Sequence, residues 1–90
     1  MTINETFQAL ADPTRRKILE LLKKRDLPVN EISQYFDITL PSLSHHLNTL
    51  KNADLVSTQR RGQQIIYSLN LSVFEEVAKQ LYTFFNKKKK

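Results

Sequence analysis

The apolar positions of this chain follow a helical period, change to a period of two past Leu55, and return to a helical period near the end. Ile3, Phe7 and Leu10 recur on one side of a short first helix, and Thr2 with Glu5 has the spacing of a capping box at its start. Asp12 followed by Pro13 supplies an N-cap and a first-turn proline, so a second helix runs from Pro13 to Lys24. It buries Ile18, Leu19, Leu21 and Leu22 and exposes Arg15, Arg16, Lys17, Glu20 and Lys23. Leu27 and Pro28 read as a connector. Val29, Ile32 and Phe36 then mark the apolar side of a third helix ending near Tyr35 or Phe36, and Asp37 with Ile38 makes a turn. Aspartate tolerates left-handed backbone, so Asp37 is expected where such turns often place glycine.

The fourth helix follows at once. Thr39 is its expected N-cap, Pro41 sits in its first turn, and Leu40, Leu43, Leu47 and Leu50 fall on one narrow arc. All four leucines are therefore assigned to the core, and the opposite face carries Pro41, Ser42, His45, Asn48, Thr49 and Asn52, flanked by Ser44 and His46. An ordinary solvated face is rich in Glu and Lys, whereas this one has no charge before Lys51. Short, neutral hydrogen-bonding side chains suit a surface pressed against base edges in a major groove. Two helices joined by a few-residue turn, the second with such a face, make a helix-turn-helix unit.

Beyond Leu55, Val56, Ile65, Ile66, Tyr67 and Leu69 favour a β-hairpin whose tip holds Gly62 beside Arg60 and Arg61. That projecting basic hairpin is the wing of a winged helix. The last helix opens with Ser72 and Glu75 in capping-box spacing, and Phe74, Val77, Ala78, Leu81 and Phe85 form its apolar stripe. Val73, Tyr82 and Phe84 widen that stripe beyond what one small domain covers, which assigns the face, together with Ile3, Phe7 and Leu10, to a dimer interface. The expected architecture is mainly α with a small β-hairpin (α+β): a winged helix-turn-helix of about five helices and a two-stranded wing. One domain spans residues 1–86, and the basic tail 87–90 is expected to be disordered.

Composition narrows the chemistry. A chain of 90 residues buries only about 60 to 65% of its unfolded surface, so a partner subunit adds useful burial. A formal net charge of +5 favours a polyanionic partner, nucleic acid or an anionic membrane surface. No apolar run reaches spanning length and the N-terminus lacks the order of a signal peptide, which leads to the expectation of a cytoplasmic protein. The absence of cysteine excludes disulfides, thiolate metal sites and cysteine nucleophiles, and one glycine is too few for a phosphate-cradling loop.

Taken together, ALADPTRRKILELL at 9–22, VNEISQYFDITLPSLSHHLNTLKNADLV at 29–56 and RRGQQIIYSL at 60–69 resemble the ArsR/SmtB-type winged-helix repressor family. The short length and missing sensor ligands are most similar to its SdpR-type autorepressor branch. The resemblance implies that the helix over Thr39 to Asn52 enters the major groove, with Leu40, Pro41, Ser42, Ser44 and His45 at positions that face DNA. Leu40 departs from the polar residue frequent there and is set aside, because the helical wheel places it in the core. The expected DNA-binding set is Thr39, Pro41, Ser42, Ser44, His45, Asn48, Arg60, Arg61 and Arg15. Metal-sensing relatives use a cysteine pair in the helix matching Val29 to Tyr35, or Asp and His across terminal helices; this chain has neither, so no metal and no cofactor is expected.

Bland readings stand beside these. His45 and His46 diverge by about 100° on a helix, which gives neither two convergent ligands nor a Ser-His-acid arrangement, so no enzyme is expected. Arg15, Arg16 and Lys17 either solvate a helix with Asp12 as local partner or touch phosphate. The sequence therefore leads to a homodimeric repressor on an inverted-repeat operator, autoregulatory, not metal-sensing and with no small-molecule substrate. A protein, membrane-bound or not, that relieves repression is a further expected partner. The alternative is a winged-helix module whose terminal helix binds another protein.

Overall fold

The computed structural model describes the backbone from Ile3 to Lys88 and the side chains from 4 to 86. Its elements are α1 (Ile3–Leu10), α2 (Pro13–Lys24), β1 (Leu27–Pro28), α3 (Val29–Ile32) running into a 3₁₀ turn (Ser33–Tyr35), α4 (Leu40–Asn52), β2 (Val56–Arg61), β3 (Gln64–Leu69) and α5 (Leu71–Lys88). The winged helix-turn-helix is present as expected. The Thr2 end of the first capping box lies outside the described residues, as do Lys89 and Lys90; α5 itself runs past Asn86 to Lys88.

Each helix start has a local cause. Asp12 is extended (φ −98°, ψ 131°) and its carboxylate accepts from the Arg15 amide at 3.1 Å, with Pro13 in the first turn. Thr39 does the same for α4: its hydroxyl oxygen accepts from the Ser42 amide at 3.2 Å, and Pro41 follows in the first turn. Helix α5 starts two residues earlier than the capping-box spacing implies. Asn70, not Ser72, precedes it, accepting from the Val73 amide at 3.1 Å, while the Ser72 hydroxyl donates to the Asn70 side-chain oxygen at 3.0 Å.

Two turns correct the sequence reading. The left-handed aspartate is Asp54 (φ 60°), not Asp37. Asp54 closes α4 in a Schellman motif, in which the Leu55 amide donates to the Leu50 carbonyl at 3.0 Å and the Asp54 amide to that of Lys51 at 2.9 Å. The Asn70 side-chain amide then holds the Asp54 carbonyl at 3.0 Å, which pins the end of α4 to the start of α5. Leu27 and Pro28 are more than a connector: they pair antiparallel with β3, Leu27 opposite Tyr67, and give a three-stranded sheet of order β1-β3-β2. The wing hairpin pairs Val56 with Leu69 through Arg61 with Gln64. Gly62 takes the first place of the intervening two-residue turn at φ 61°, the place a type II′ turn reserves for glycine.

The core collects Ile18, Leu19 and Leu22 of α2, Ile32 of α3, Leu43, Leu47 and Leu50 of α4, and Leu27, Leu55, Val56 and Tyr67 around the sheet. Burial of the Tyr67 ring pushes its phenol up from the usual value. Leu40 is the exception among the α4 leucines, with 63% of its surface exposed while Leu43 and Leu47 are at 1%. The molecule is elongated, 52 by 24 by 21 Å, because the last turns of α5 run on with every residue from Ala78 to Asn86 exposed.

Candidate nucleic-acid interface

Exposure along α4 shows which face is free. Leu40, Pro41, Ser44, His45, Asn48, Lys51 and Asn52 are exposed; Ser42, His46 and Thr49 are half-buried; Leu43, Leu47 and Leu50 are buried. At 100° per residue the exposed arc centres on Ser44 and Asn48, about 70° away from the centre placed opposite the leucines. Three side chains account for the rotation. Thr49 donates its hydroxyl back to the His45 carbonyl at 3.0 Å, His46 is drawn inward, and Ser42 sits at the edge of the buried arc. Leu40 and Lys51, absent from the expected set, join the free face in their place. Pro41, Ser44, His45 and Asn48 remain on it, and Thr39, also exposed, stands at its leading end as the cap.

His46 is held by Arg15. The Arg15 guanidinium donates from Nε to the Ala9 carbonyl at 2.8 Å and from Nη2 to the Gln8 carbonyl at 3.0 Å, while Nη1 lies 3.1 Å from His46 Nδ1. Arginine has no acceptor, so Nδ1 accepts and the ring hydrogen sits on Nε2. The Asp12 carboxylate lies farther off, 3.8 Å from the same nitrogen. Partial burial raises the Asp12 carboxyl, but the hydrogen bond from the Arg15 amide, the nearby His46 ring, the Thr14 amide and the Arg15 guanidinium together outweigh that, leaving it below the usual value. Arg15 therefore brackets the last turn of α1 and the start of α2 to the inner side of α4.

Its neighbours are also engaged locally. Arg16 Nη1 donates to the Leu10 carbonyl at 2.8 Å, and the Lys17 ammonium stands 5.2 Å above the Phe36 ring, within cation–π range. The sequence left the 15–17 cluster between local partner and phosphate; the geometry gives all three a local partner. Arg60 and Arg61 differ. Both are exposed at the wing tip, alternate on opposite faces of β2, and form no ion pair among the described residues. A long 3.5 Å contact from Arg60 Nη1 to the Gly62 carbonyl leaves that guanidinium mostly open.

The histidine pair offers no catalytic arrangement. The two rings lie 5.7 Å apart and tilted by 57°, and His46 is committed to Arg15. Among the described residues no three His, Cys, Asp or Glu side chains gather into a group able to hold a metal ion.

A second exposed surface lies on the terminal helices. Val77 is buried by the chain itself, and Leu10 and Phe74 are half-buried against the core. Phe7, Ala78, Leu81 and Phe85 are exposed and are joined by Leu71, Tyr82 and Phe84. The side chain of Ile3 lies outside the described residues.

A helix-turn-helix with a free polar face, flanked by an arginine-tipped wing, defines a winged-helix transcriptional regulator rather than an enzyme. Comparison with known proteins makes the family definite. The model of the bacterial regulatory protein arsR family matches residues 12–58, and the chain belongs to that family. It is similar to the transcriptional repressor SdpR of Bacillus subtilis, 48% identical over 85 residues that cover 94% of each chain. The arsenical resistance operon repressor of Staphylococcus xylosus is 30% identical over 79 residues, 88% of this chain and 76% of that one. Among solved structures, the crystal structure of an ArsR family transcriptional regulator superposes with a TM-score of 0.91 at 31% identity, covering 98% of this chain and 97% of its own.

Proposed function

We propose that this DNA-binding repressor acts as a cytoplasmic homodimer on an inverted repeat, laying the free face of α4 in successive major grooves roughly 34 to 36 Å apart. The observation that carries this reading is the pairing of an uncharged polar face on α4, with Ser44, His45 and Asn48 exposed, with the open guanidinium groups of Arg60 and Arg61 on the wing. Ser44, His45 and Asn48 discriminate bases; Arg60, Arg61 and Lys51 supply salt-dependent attachment to phosphate. The exposed side chains of Phe7, Leu71, Leu81 and Phe85 support dimerisation, since an apolar patch of that kind is seldom left open to water. Occlusion of a promoter by the bound dimer gives repression, the role named for the similar transcriptional repressor SdpR; the target in this reading is a promoter of its own.

The regulator is read as unresponsive to transition metals, because the chain has no cysteine and its two histidines are adjacent on one helix. A stoichiometric, micromolar or tighter Zn(II) site in isothermal titration would overturn that part. Dimerisation and operator geometry are tested together with duplexes carrying two half-sites whose spacing is varied. Tight binding at one helical turn that is lost when half a turn is inserted, and not regained at two turns because that spacing is about twice the span of the dimer, is expected; indifference to spacing would refute the dimeric reading. The exposed Tyr82 and Phe84 favour a second, compatible role for the end of α5 as the docking point of a protein, membrane-bound or not, that relieves repression. Tyr82→Ala should then abolish relief of repression in cells while the purified variant, checked to remain dimeric, still binds DNA.

A further inference from the structure

The large exposed apolar side chains fall into two sets. Phe7, Leu71, Leu81, Tyr82, Phe84 and Phe85 belong to the terminal helices, whereas Tyr35, Ile38, Leu40 and Ile65 lie on the side of the helix-turn-helix and wing. Leu40 is the most open of the second set at 63% and the one that stands on α4. It is the first residue of that helix, standing between the Thr39 cap and Pro41. Side chains of a helix lean toward its N-terminus, which directs Leu40 to the leading end of α4, the end from which recognition helices reach base edges. It borders an open cleft of about 570 Å³, shared with Gln64 and Ile65 of the wing, that no side chain fills. Ser44 and Asn48 follow on the same face, about 40° and 80° around the helix.

The major groove offers one apolar group on a base edge, the C5-methyl of thymine. A leucine fixed at the tip of a face otherwise made of hydrogen-bonding side chains is matched to that group and to no polar edge. We propose that Leu40 reads a thymine in each half-site by seating against its C5-methyl, so that specificity at that position is apolar. This rests on the DNA-reading role of α4 given above.

The test uses the full-length protein and a duplex that it has itself selected from a random library, with each thymine replaced in turn by uracil, which removes only the methyl group. At one thymine per half-site the replacement is expected to weaken binding by the wild type about four-fold, the worth of one buried methyl-sized group. Leu40→Ala should bind the parent duplex weaker by a similar factor and be indifferent to that same replacement, while Leu40→Met retains the sensitivity. Arg61→Ala, weaker on all DNA, should also keep it. The proposal is overturned if no thymine is methyl-sensitive, if Leu40→Ala is as sensitive as the wild type, or if Leu40→Ala weakens random DNA equally, which would mark a sugar or backbone contact. Selection of a defined duplex without methyl sensitivity sinks the Leu40 proposal alone; failure to select any duplex sinks the DNA-reading role of α4 and Leu40 with it.

Discussion

Replacing Arg15 with alanine removes three hydrogen bonds that join three helices. The bonds to the Ala9 carbonyl at 2.8 Å and to His46 Nδ1 at 3.1 Å are partly buried, and each contributes about 1 kcal/mol net; the exposed bond to the Gln8 carbonyl contributes less. With the carbonyls at the end of α1 left to water, the expected loss is about 2 to 3 kcal/mol. Against a total of about 5 to 13 kcal/mol for 90 residues, that lowers the melting temperature by roughly 10 to 20 °C. Arg16→Ala loses one exposed bond to the Leu10 carbonyl and should cost under about 1 kcal/mol. Urea unfolding at fixed protein concentration measures both, the concentration mattering because a dimer gains apparent stability by mass action. Arg15→Ala within about 1 kcal/mol of wild type, combined with a weakened salt dependence of DNA binding, would refute the bracket and return Arg15 to the phosphate contacts.

Three other substitutions probe neighbouring features. Asp12→Ala removes the N-cap of α2 and should cost about 1 kcal/mol near neutral pH. Because the folded-state carboxyl of Asp12 lies below the unfolded value of 3.8, its contribution is present above that pH and lost as pH falls through the lower folded-state value. The gap between wild type and variant in urea unfolding should therefore close in strong acid. Asp54→Gly relieves a non-glycine residue at φ 60° and should stabilise by about 0.5 to 1 kcal/mol, read as a higher urea midpoint at unchanged slope. Arg60→Ala and Arg61→Ala should weaken selected and random duplexes alike and flatten the plot of log affinity against log salt by about one unit per lost phosphate contact, whereas His45→Ala should mainly reduce the ratio between the two duplexes.

Much of this fold is legible along the chain because its punctuation is local. Asp12–Pro13 and Thr39 with Pro41 set the starts of α2 and α4 by hydrogen bonds spanning three residues, and Gly62 marks the wing turn by its own backbone freedom. What escaped depends on partners distant in sequence. Strand β1 exists because Leu27 meets Tyr67, forty positions away, and a two-residue strand carries no period of its own. The free face of α4 was misplaced by about 70° because a helical wheel weighs the leucines and cannot see that Arg15, 31 residues earlier, draws His46 inward. Leu40 was assigned to the core for the same reason. Its hydrophobicity signals burial, while its place at the first helical position carries it past the packed layer.

The central claim is that this surface distinguishes one DNA sequence from others, and a titration of the purified protein against a labelled fragment of its own upstream promoter, with excess random duplex, at two salt concentrations, tests it most directly. The account predicts promoter-selective binding that weakens as salt rises, with selectivity retained at the higher salt as base contacts remain while phosphate contacts are screened. Salt-sensitive binding without preference for the promoter would contradict it, leaving Arg60, Arg61 and Lys51 as a basic surface and the polar face of α4 without a reader's role.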